Sequence, residues 1–188
     1  MQLVCQMSMS HGKRHGDFIT WYENGQVHDR YQYINGQQVE HKTWFENGQL
    51  ESHQHYINGS DEEQIVKIWY KNGQLREQHS LKKDKLEGDY KVWYESGNLE
   101  RHWRYVNGKI DGELKSWYDK NGQLWEQTSY VNGNREGERR MWYVNGQLLK
   151  YCFFVNGKIE GEYKQWYFTG QLAWHCHYIN GRREGEFK

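Results

Sequence analysis

Two histidine pairs are the residues of this chain whose type and spacing could do chemistry. His53 and His55, and likewise His175 and His177, are separated by a single residue. Alternate side chains of a β-strand point to the same face, so each pair presents two imidazoles side by side. Neutral imidazole is a ligand for Zn²⁺ or Ni²⁺. The predicted register places no third donor, and Cys176 points to the opposite face, so we interpret the pairs as solvated surface histidines and only as weak metal candidates.

No known catalytic motif accompanies these histidines. The chain contains no P-loop, no dinucleotide-binding glycine fingerprint and no His-Glu-x-x-His motif. Its Asp and Glu residues recur at equivalent positions along the chain, which is typical of solvated ladders rather than of one acid–base pair. The sequence therefore predicts a protein that is not an enzyme and that uses no cofactor.

The elements that would position the histidines follow from an internal repeat. A Trp-aromatic pair recurs along the whole chain, and the spacings between successive tryptophans are 23, 25, 24, 24, 25 and 24 residues. Each pair is followed by a turn glycine and then by a second turn, usually Asn-Gly, and such a period is typical of a repeat architecture. The tryptophans of these pairs are Trp21, Trp44, Trp69, Trp93, Trp117, Trp142 and Trp166.

Asn-Gly between alternating segments is the strongest short signal for a β-hairpin, because both central residues of a type I′ turn need positive φ. With two turns per repeat, the chain is predicted to be all-β, an elongated and twisted single antiparallel meander of about 16 strands that is solenoid-like. We expect one domain, residues 1–188, with a half repeat at 1–12 and a partial repeat at 181–188. The most divergent segment is Gly59–Trp69, whose acidic run Asp61–Glu63 is expected to widen a turn.

Period-two alternation assigns the aromatic residues to two faces of the sheet. Two-residue turns would pair Tyr94 with Leu99 and Tyr105 with Ile110. The resulting Tyr/Leu face is the candidate aromatic binding groove, and it is equally the only candidate core of a single sheet. The opposite face carries the tryptophan row among charged residues. The tyrosines of the candidate groove are Tyr22, Tyr70, Tyr94, Tyr105, Tyr118, Tyr143 and Tyr167.

Four further glycines, in the strands that follow the second turns, fall on the Tyr/Leu side. We expect β-bulges there, or places where a tyrosine ring covers bare backbone. These glycines are Gly112, Gly137, Gly161 and Gly185.

Composition limits the partners and the compartment. The 25 Lys and Arg balance the 25 Asp and Glu, which argues against nucleic acid and makes an anionic membrane an improbable partner. Cys152 and Cys176 would be separated by an intervening strand, too far for a disulfide. Together with an N-terminus that is unlike a signal peptide and the lack of a long apolar run, this predicts a cytoplasmic or otherwise intracellular protein.

Several stretches resemble a known repeat. W-Y-E-N-G-Q, Y-V-N-G-K-I-D-G-E and W-Y-D-K-N-G-Q-L are similar to MORN repeats, specifically to the variant of bacterial antitoxin-like proteins and of some large DNA viruses. The resemblance covers nearly the whole chain and implies an array of β-hairpins that serves protein–protein contact or a scaffold close to a membrane, often as a dimer. It implies no active site.

The sequence thus predicts a non-catalytic protein–protein interaction scaffold whose partner protein it does not identify. The alternatives are a toxin-neutralising protein of the antitoxin type, a peripheral lipid-binding module and, with less support, a carbohydrate-binding repeat. Both ends, Leu3–Met9 and Arg182–Lys188, are predicted to be open strand edges. Charged residues protect the C-terminal edge, so we expect at most a weak homodimer.

Overall fold

The computed structural model describes residues 8–57 and 63–184. These residues form eighteen β-strands and no α-helix, which confirms the prediction of an all-β chain. The chain divides into two compact units, of which unit 1 ends at Gly97 and unit 2 begins at Asn98. Several predictions fall outside the described residues, namely those on Gly185, most of the Asp61–Glu63 run and most of the two terminal edges.

Unit 1 contains nine strands that pair antiparallel in chain order, with β8 and β9 both paired to β7. They are β1 (Ser8–Ser10), β2 (Lys13–Trp21), β3 (Val27–Ile34), β4 (Gln37–Trp44), β5 (Leu50–Tyr56), β6 (Glu63–Trp69), β7 (Leu75–Lys82), β8 (Lys85–Leu86) and β9 (Gly88–Trp93).

Unit 2 repeats this arrangement, with β11 and β12 both paired to β10 and every later strand paired to the one before it. Its strands are β10 (Leu99–Val106), β11 (Lys109–Ile110), β12 (Gly112–Trp117), β13 (Leu124–Val131), β14 (Asn134–Trp142), β15 (Leu148–Val155), β16 (Lys158–Trp166), β17 (Leu172–Ile179) and β18 (Arg182–Glu184).

The strands outnumber the predicted total because two predicted strands are each interrupted once. Glu87 separates β8 from β9, and Asp111 separates β11 from β12. The glycine after each break has positive φ, 78° at Gly88 and 95° at Gly112. This conformation lets the chain bulge out of the hydrogen-bonded ladder. Gly137 and Gly161 also have positive φ beside register shifts, which confirms that these glycines mark bulges.

Among the described residues, the second turns have the predicted two-residue form. Asn107 and Gly108 both have positive φ, 52° and 80°, as a type I′ turn requires. Val106 pairs with Lys109 and Tyr105 with Ile110, which is the predicted register. The turn before β8 keeps this geometry without glycine, since Lys83 and Asp84 have φ of 50° and 60°.

The first turn of each repeat, after the Trp-aromatic pair, differs from the prediction. In the turn after β2, Tyr22 N–H donates to the Gln26 carbonyl and Gly25 N–H donates to the Tyr22 carbonyl. Three residues therefore form the loop, and of these only Gly25 has positive φ. This is a type I turn closed by a glycine bulge rather than a type I′ turn. The Asn24 side chain takes part in the loop, because its Oδ1 accepts a hydrogen bond from Gln26 N–H.

The longer loop shifts the pairing beside it by one residue. Trp44 pairs with Leu50 and Trp142 with Leu148. We predicted that the leucine after each first turn pairs with the tyrosine before the turn, as Leu99 with Tyr94. At the equivalent hairpins within each unit, this prediction is therefore wrong. Because paired residues share a face, these leucines lie with the tryptophans. Leu114, in contrast, lies on the face opposite the tryptophans, as predicted, and pairs with Thr128.

Each unit thus has a Trp face and a buried face. In unit 2 the Trp face comprises Glu113, Lys115, Trp117, Glu138, Arg140, Trp142, Leu148, Tyr151, Glu162, Lys164 and Trp166, and the buried face includes Ser116, Thr128, Arg139, Cys152, Phe154 and Tyr163. Among the described residues, the buried apolar side chains are only Val66, Cys152 and Phe154. Such a small core suits a fold in which each strand packs mainly on its neighbours.

Candidate functional site

The tyrosines of the predicted groove hold consecutive repeats together. The hydroxyl of Tyr143 donates to the carbonyl of Trp166 at 2.9 Å, 23 residues further along the chain. Tyr22, Tyr70 and Tyr118 make the same bond to the tryptophan of the following repeat, at 2.6, 2.9 and 2.9 Å. These four hydroxyls are therefore engaged within the fold. Of the remaining three, Tyr94 and Tyr105 are half-buried and Tyr167 is 58% exposed.

The loop asparagines join the repeats in the same direction. The Nδ2 of Asn121 donates to the carbonyl of Val144 at 2.9 Å, and that of Asn145 donates to the carbonyl of Phe168 at 3.2 Å. Consecutive repeats also approach closely at Gly48, where an added Cβ would lie 2.1 Å from Oε1 of Gln26 in the preceding repeat. Side chain and backbone together fix the stacking of the first turns.

The tryptophans, by contrast, keep part of their surface open to solvent. All seven are half-buried, and none of them contributes to the fully buried core of the described residues. In unit 2, Trp142, Leu148 and Trp166 line one shallow, open depression together with the charged residues of β14 and β16. In unit 1, Trp44 lines a similar depression with Ile19 and Val27. The Trp face is thus an accessible apolar and charged surface.

The charges of the Trp face are paired along each strand. Lys115 contacts Glu113 at 2.7 Å, and Lys164 contacts Glu162 at 2.6 Å. Arg140 and Glu138 repeat the arrangement on β14, at 2.5 Å. Exposed pairs of this kind contribute little stability. They do, however, give each repeat a locally neutral surface.

The edge of the Trp face is lined by aliphatic side chains. In unit 2, one β-branched residue precedes the Asn-Gly dipeptide of each second turn, in phase with the Trp-face residues of its strand. In unit 2 these residues are between 37% and 50% exposed, so an apolar margin lies beside the paired charges. They are Val106, Val131, Val155 and Ile179.

Polar pairs on the buried face are the residues that the sequence analysis missed. His41 stacks on Tyr31 with ring centroids 4.0 Å apart, and its Nε2 lies 3.1 Å from Oδ1 of Asp29. In unit 2 the equivalent strands carry a 2.8 Å pair between Arg139 and Glu126. Half-buried charges need such partners. The partners lie on neighbouring strands, so only the register reveals them.

The first histidine pair gains a third donor from the neighbouring strand. Glu40 on β4 is the register partner of His55, and Lys42 is the partner of His53. One donor atom each from Glu40, His53 and His55 lies within 4.8 Å of the others. The side chains of Glu40 and His53 are closest, with Oε1 and Nε2 2.8 Å apart. The prediction that no third donor accompanies His53 and His55 is therefore wrong, because Glu40 lies opposite His55 on the neighbouring strand.

The electrostatics of this cluster favour an ionised carboxylate and a neutral ring. Burial opposes ionisation of Glu40, but the hydrogen bond and charge of Lys42, together with His53, outweigh it and hold the pKa of Glu40 below its usual value. Burial and the Lys42 charge lower the pKa of His53.

The second histidine pair has the same register. Glu162 pairs with His177, and Lys164 pairs with His175. This copy is more open, because the side chains of His175 and Glu162 are 48% and 51% exposed and their closest atoms are 3.5 Å apart. Cys176 pairs with Tyr163 and lies on the opposite face, as predicted.

Comparison with known families decides what these repeats are. The sequence pattern of the MORN repeat variant matches seven segments, residues 14–35, 37–58, 65–83, 86–107, 111–132, 135–156 and 159–180. The chain belongs to the MORN repeat variant family. MORN repeats are in general repeats that mediate interactions with proteins or membranes. A comparison with curated proteins gave no match.

Two solved structures align with these MORN repeats at low sequence identity. The crystal structure of TarM aligns with a TM-score of 0.35 and 11% identity, over 56% of this chain and 20% of that chain. A point mutant of S. aureus TarM in complex with Fondaparinux, alpha-GlcNAc-glycerol and UDP aligns with a TM-score of 0.34 and 10% identity, over 64% and 21%. The chain thus spans about a fifth of the length of these proteins.

The MORN repeats of this chain differ from one another at the two Trp-face positions that carry the histidine pairs. Two repeats have histidine at both positions, whereas the repeat of β13 has Gln127 and Ser129 and that of β15 has Tyr151 and Phe153. The repeat thus holds the backbone constant while these positions vary.

No helix in the described residues has the length and apolar character needed to cross a bilayer.

Proposed function

We propose that this chain is a non-catalytic scaffold that binds another protein through the Trp face of unit 2. The observation that carries the proposal is the half-open depression in which Trp142, Leu148 and Trp166 lie beside ion pairs of the same strands. Exposed aromatic surface bordered by polar groups is typical of protein contact sites, where tryptophan and arginine supply much of the binding energy.

The pairing of charges supports a protein partner over a phosphate-rich one. Binding to an anionic membrane or a nucleic acid depends on several unpaired cations on one surface. Here Lys115, Arg140 and Lys164 each contact a glutamate of their own strand. A protein surface with its own alternating charges can instead exchange partners with these pairs at little electrostatic cost.

The use of the tyrosines within the fold also favours the Trp face over the predicted tyrosine groove. Four tyrosine hydroxyls donate to backbone carbonyls of the next repeat. A partner that recruited them would have to break contacts between repeats. Trp142 and Trp166 already line an open depression, so a partner can contact them without breaking these hydrogen bonds.

Affinity capture with quantitative mass spectrometry, using the full chain as bait, tests the proposal. The test variant Glu138→Arg with Arg140→Glu swaps an ion pair, so it keeps the pairing and reverses the pattern of charge. The control Lys120→Ala changes an exposed loop residue of the same unit. We expect the swap to remove specific partners that the control retains. An unchanged set of partners with the swap, or binding to vesicles rich in phosphatidylserine that the swap does not affect, would refute the proposal.

A further inference from the structure

We propose that Glu40, His53 and His55 form a binding site for a divalent transition-metal ion of the Zn²⁺ type on the Trp face of unit 1. The site is independent of the proposed partner surface, which lies in unit 2. It would have two imidazole ligands, one carboxylate ligand and an open side toward solvent.

The register of β4 and β5 assembles the donors. His53 and His55 alternate on β5 and therefore share a face, and Glu40 is opposite His55 on β4. Donor atoms in a tetrahedral zinc site lie roughly 3.3 Å apart, given bonds of about 2.0–2.1 Å. The donors here lie within 4.8 Å of one another without an ion. Because His55 is exposed, its ring can change rotamer toward the other two donors without movement of the backbone.

His53 supplies a second indication of a missing ligand. Its Nε2 is buried, and it has no well-aligned hydrogen bond within the described part of the chain, although Oε1 of Glu40 approaches to 2.8 Å. A buried ring nitrogen in this state is under-satisfied. A metal ion that contacts both atoms would satisfy the nitrogen and the carboxylate together, because neutral imidazole and carboxylate are both zinc ligands.

Lys42 makes the inference testable in two directions. Its Nζ contacts Oε1 of Glu40 at 2.8 Å, so it competes with an ion for the same oxygen. If Glu40 is a ligand, removing the lysine charge should strengthen metal binding, while removing the carboxylate charge should weaken it. If the cluster is only an ion-pair network, neither change affects metal affinity in this way.

The second histidine pair provides an internal comparison within the same chain. Glu162, His175 and His177 have the same register, but the contact of His175 with Glu162 is longer, 3.5 Å, and both side chains are about half exposed. A less ordered set of ligands binds an ion more weakly, because more conformational freedom is lost on binding. The tighter site is therefore assigned to unit 1.

The test is isothermal titration of the full chain with ZnCl₂, using protein that carries no polyhistidine tag. The variants are Glu40→Gln, Lys42→Met and, as the matched control, Glu162→Gln. Loss of even an outer-sphere partner costs roughly 10- to 100-fold in metal affinity, so we expect Glu40→Gln to weaken the tightest site at least tenfold. Lys42→Met is expected to tighten it severalfold, and Glu162→Gln to leave it unchanged.

Two further measurements separate binding from misfolding and locate the ion. Far-UV circular dichroism before the titration verifies that each variant is folded. NMR of the histidine ring nitrogens is expected to show Zn²⁺-dependent shifts at His53 and His55 at lower metal concentration than at His175 and His177. The inference is overturned if the wild-type chain binds no Zn²⁺, if Glu40→Gln and Lys42→Met leave the affinity unchanged, or if the second pair fills first.

Discussion

Replacing Tyr143 by phenylalanine tests whether the tyrosine hydroxyls hold the repeats together. The hydroxyl donates to the carbonyl of Trp166 at 2.9 Å, so the substitution removes one inter-repeat bond. The ring itself remains, including its edge-to-face contact with Phe168 at 5.3 Å between centroids. The change is therefore confined to one hydrogen bond.

The expected loss follows from the half-buried position of Tyr143. An intramolecular hydrogen bond contributes about 0.5–1.5 kcal/mol net, and a buried carbonyl left without a donor costs about 1–3 kcal/mol. Since Tyr143 is half-buried, water replaces part of the lost bond, and we expect about 1 kcal/mol less stability. For a unit of this size that corresponds to a decrease in Tm of roughly 4–8 °C.

Urea denaturation followed by tryptophan fluorescence measures the change, with the m-value verifying that the transition is otherwise unaltered. Tyr167→Phe is the matched control, because Tyr167 holds the same position in the next repeat and is 58% exposed. We expect a loss near zero for this control. Equal losses for the two variants, or no loss for Tyr143→Phe, would refute the structural role assigned to the hydroxyls.

Three other predictions concern the turns and the buried thiol. Gly48→Ala and Gly112→Ala each place a methyl group at positive φ, 84° and 95°, so we expect each to lower the free energy of unfolding, measured by urea denaturation, by roughly 1–2 kcal/mol. The loss should be greater for Gly48→Ala, because an added Cβ has neighbours within 4 Å at Gly48 and none at Gly112. Asn121→Ala removes two hydrogen bonds, the one that Asn121 Nδ2 donates to the Val144 carbonyl and the one that its Oδ1 accepts from Gln123 N–H. We expect the free energy of unfolding to fall by about 1 kcal/mol in the same assay, and an unchanged urea midpoint would contradict this. Burial raises the pKa of the Cys152 thiol, so iodoacetamide should label it far more slowly than Cys176 at pH 8, as peptide mass spectrometry would report; equal rates in the folded chain would contradict the buried placement.

The period and the second turns could be predicted from sequence because they depend on local chemistry. Asn107-Gly108 needs positive φ at two adjacent residues, and the residue types alone indicate this. Five of the seven first turns contain the same Asn-Gly dipeptide, Asn121-Gly122 among them, yet there the asparagine avoids positive φ. Its side chain binds its own loop and the next repeat, an interaction between residues 23 positions apart that no short motif encodes.

The histidine cluster illustrates the same limit. The spacing of His53 and His55 predicts that the two rings share a face. Glu40 joins them through the pairing of β4 with β5, in which Glu40 lies opposite His55. The register shift is confined to Trp44, and from Thr43 back to Glu40 the strands keep the pairing of a two-residue turn.

The direction of the tyrosine bonds has a consequence for synthesis of the chain on the ribosome. In every case the donor is translated first and its acceptor follows 22–24 residues later. At about 5–20 residues per second, that interval lasts roughly 1–5 s. When one of these four repeats is the most recently emerged part of a nascent chain, its tyrosine hydroxyl therefore still awaits its acceptor. Each repeat is completed by the arrival of the next, so the growing chain is least protected at the end nearest the ribosome.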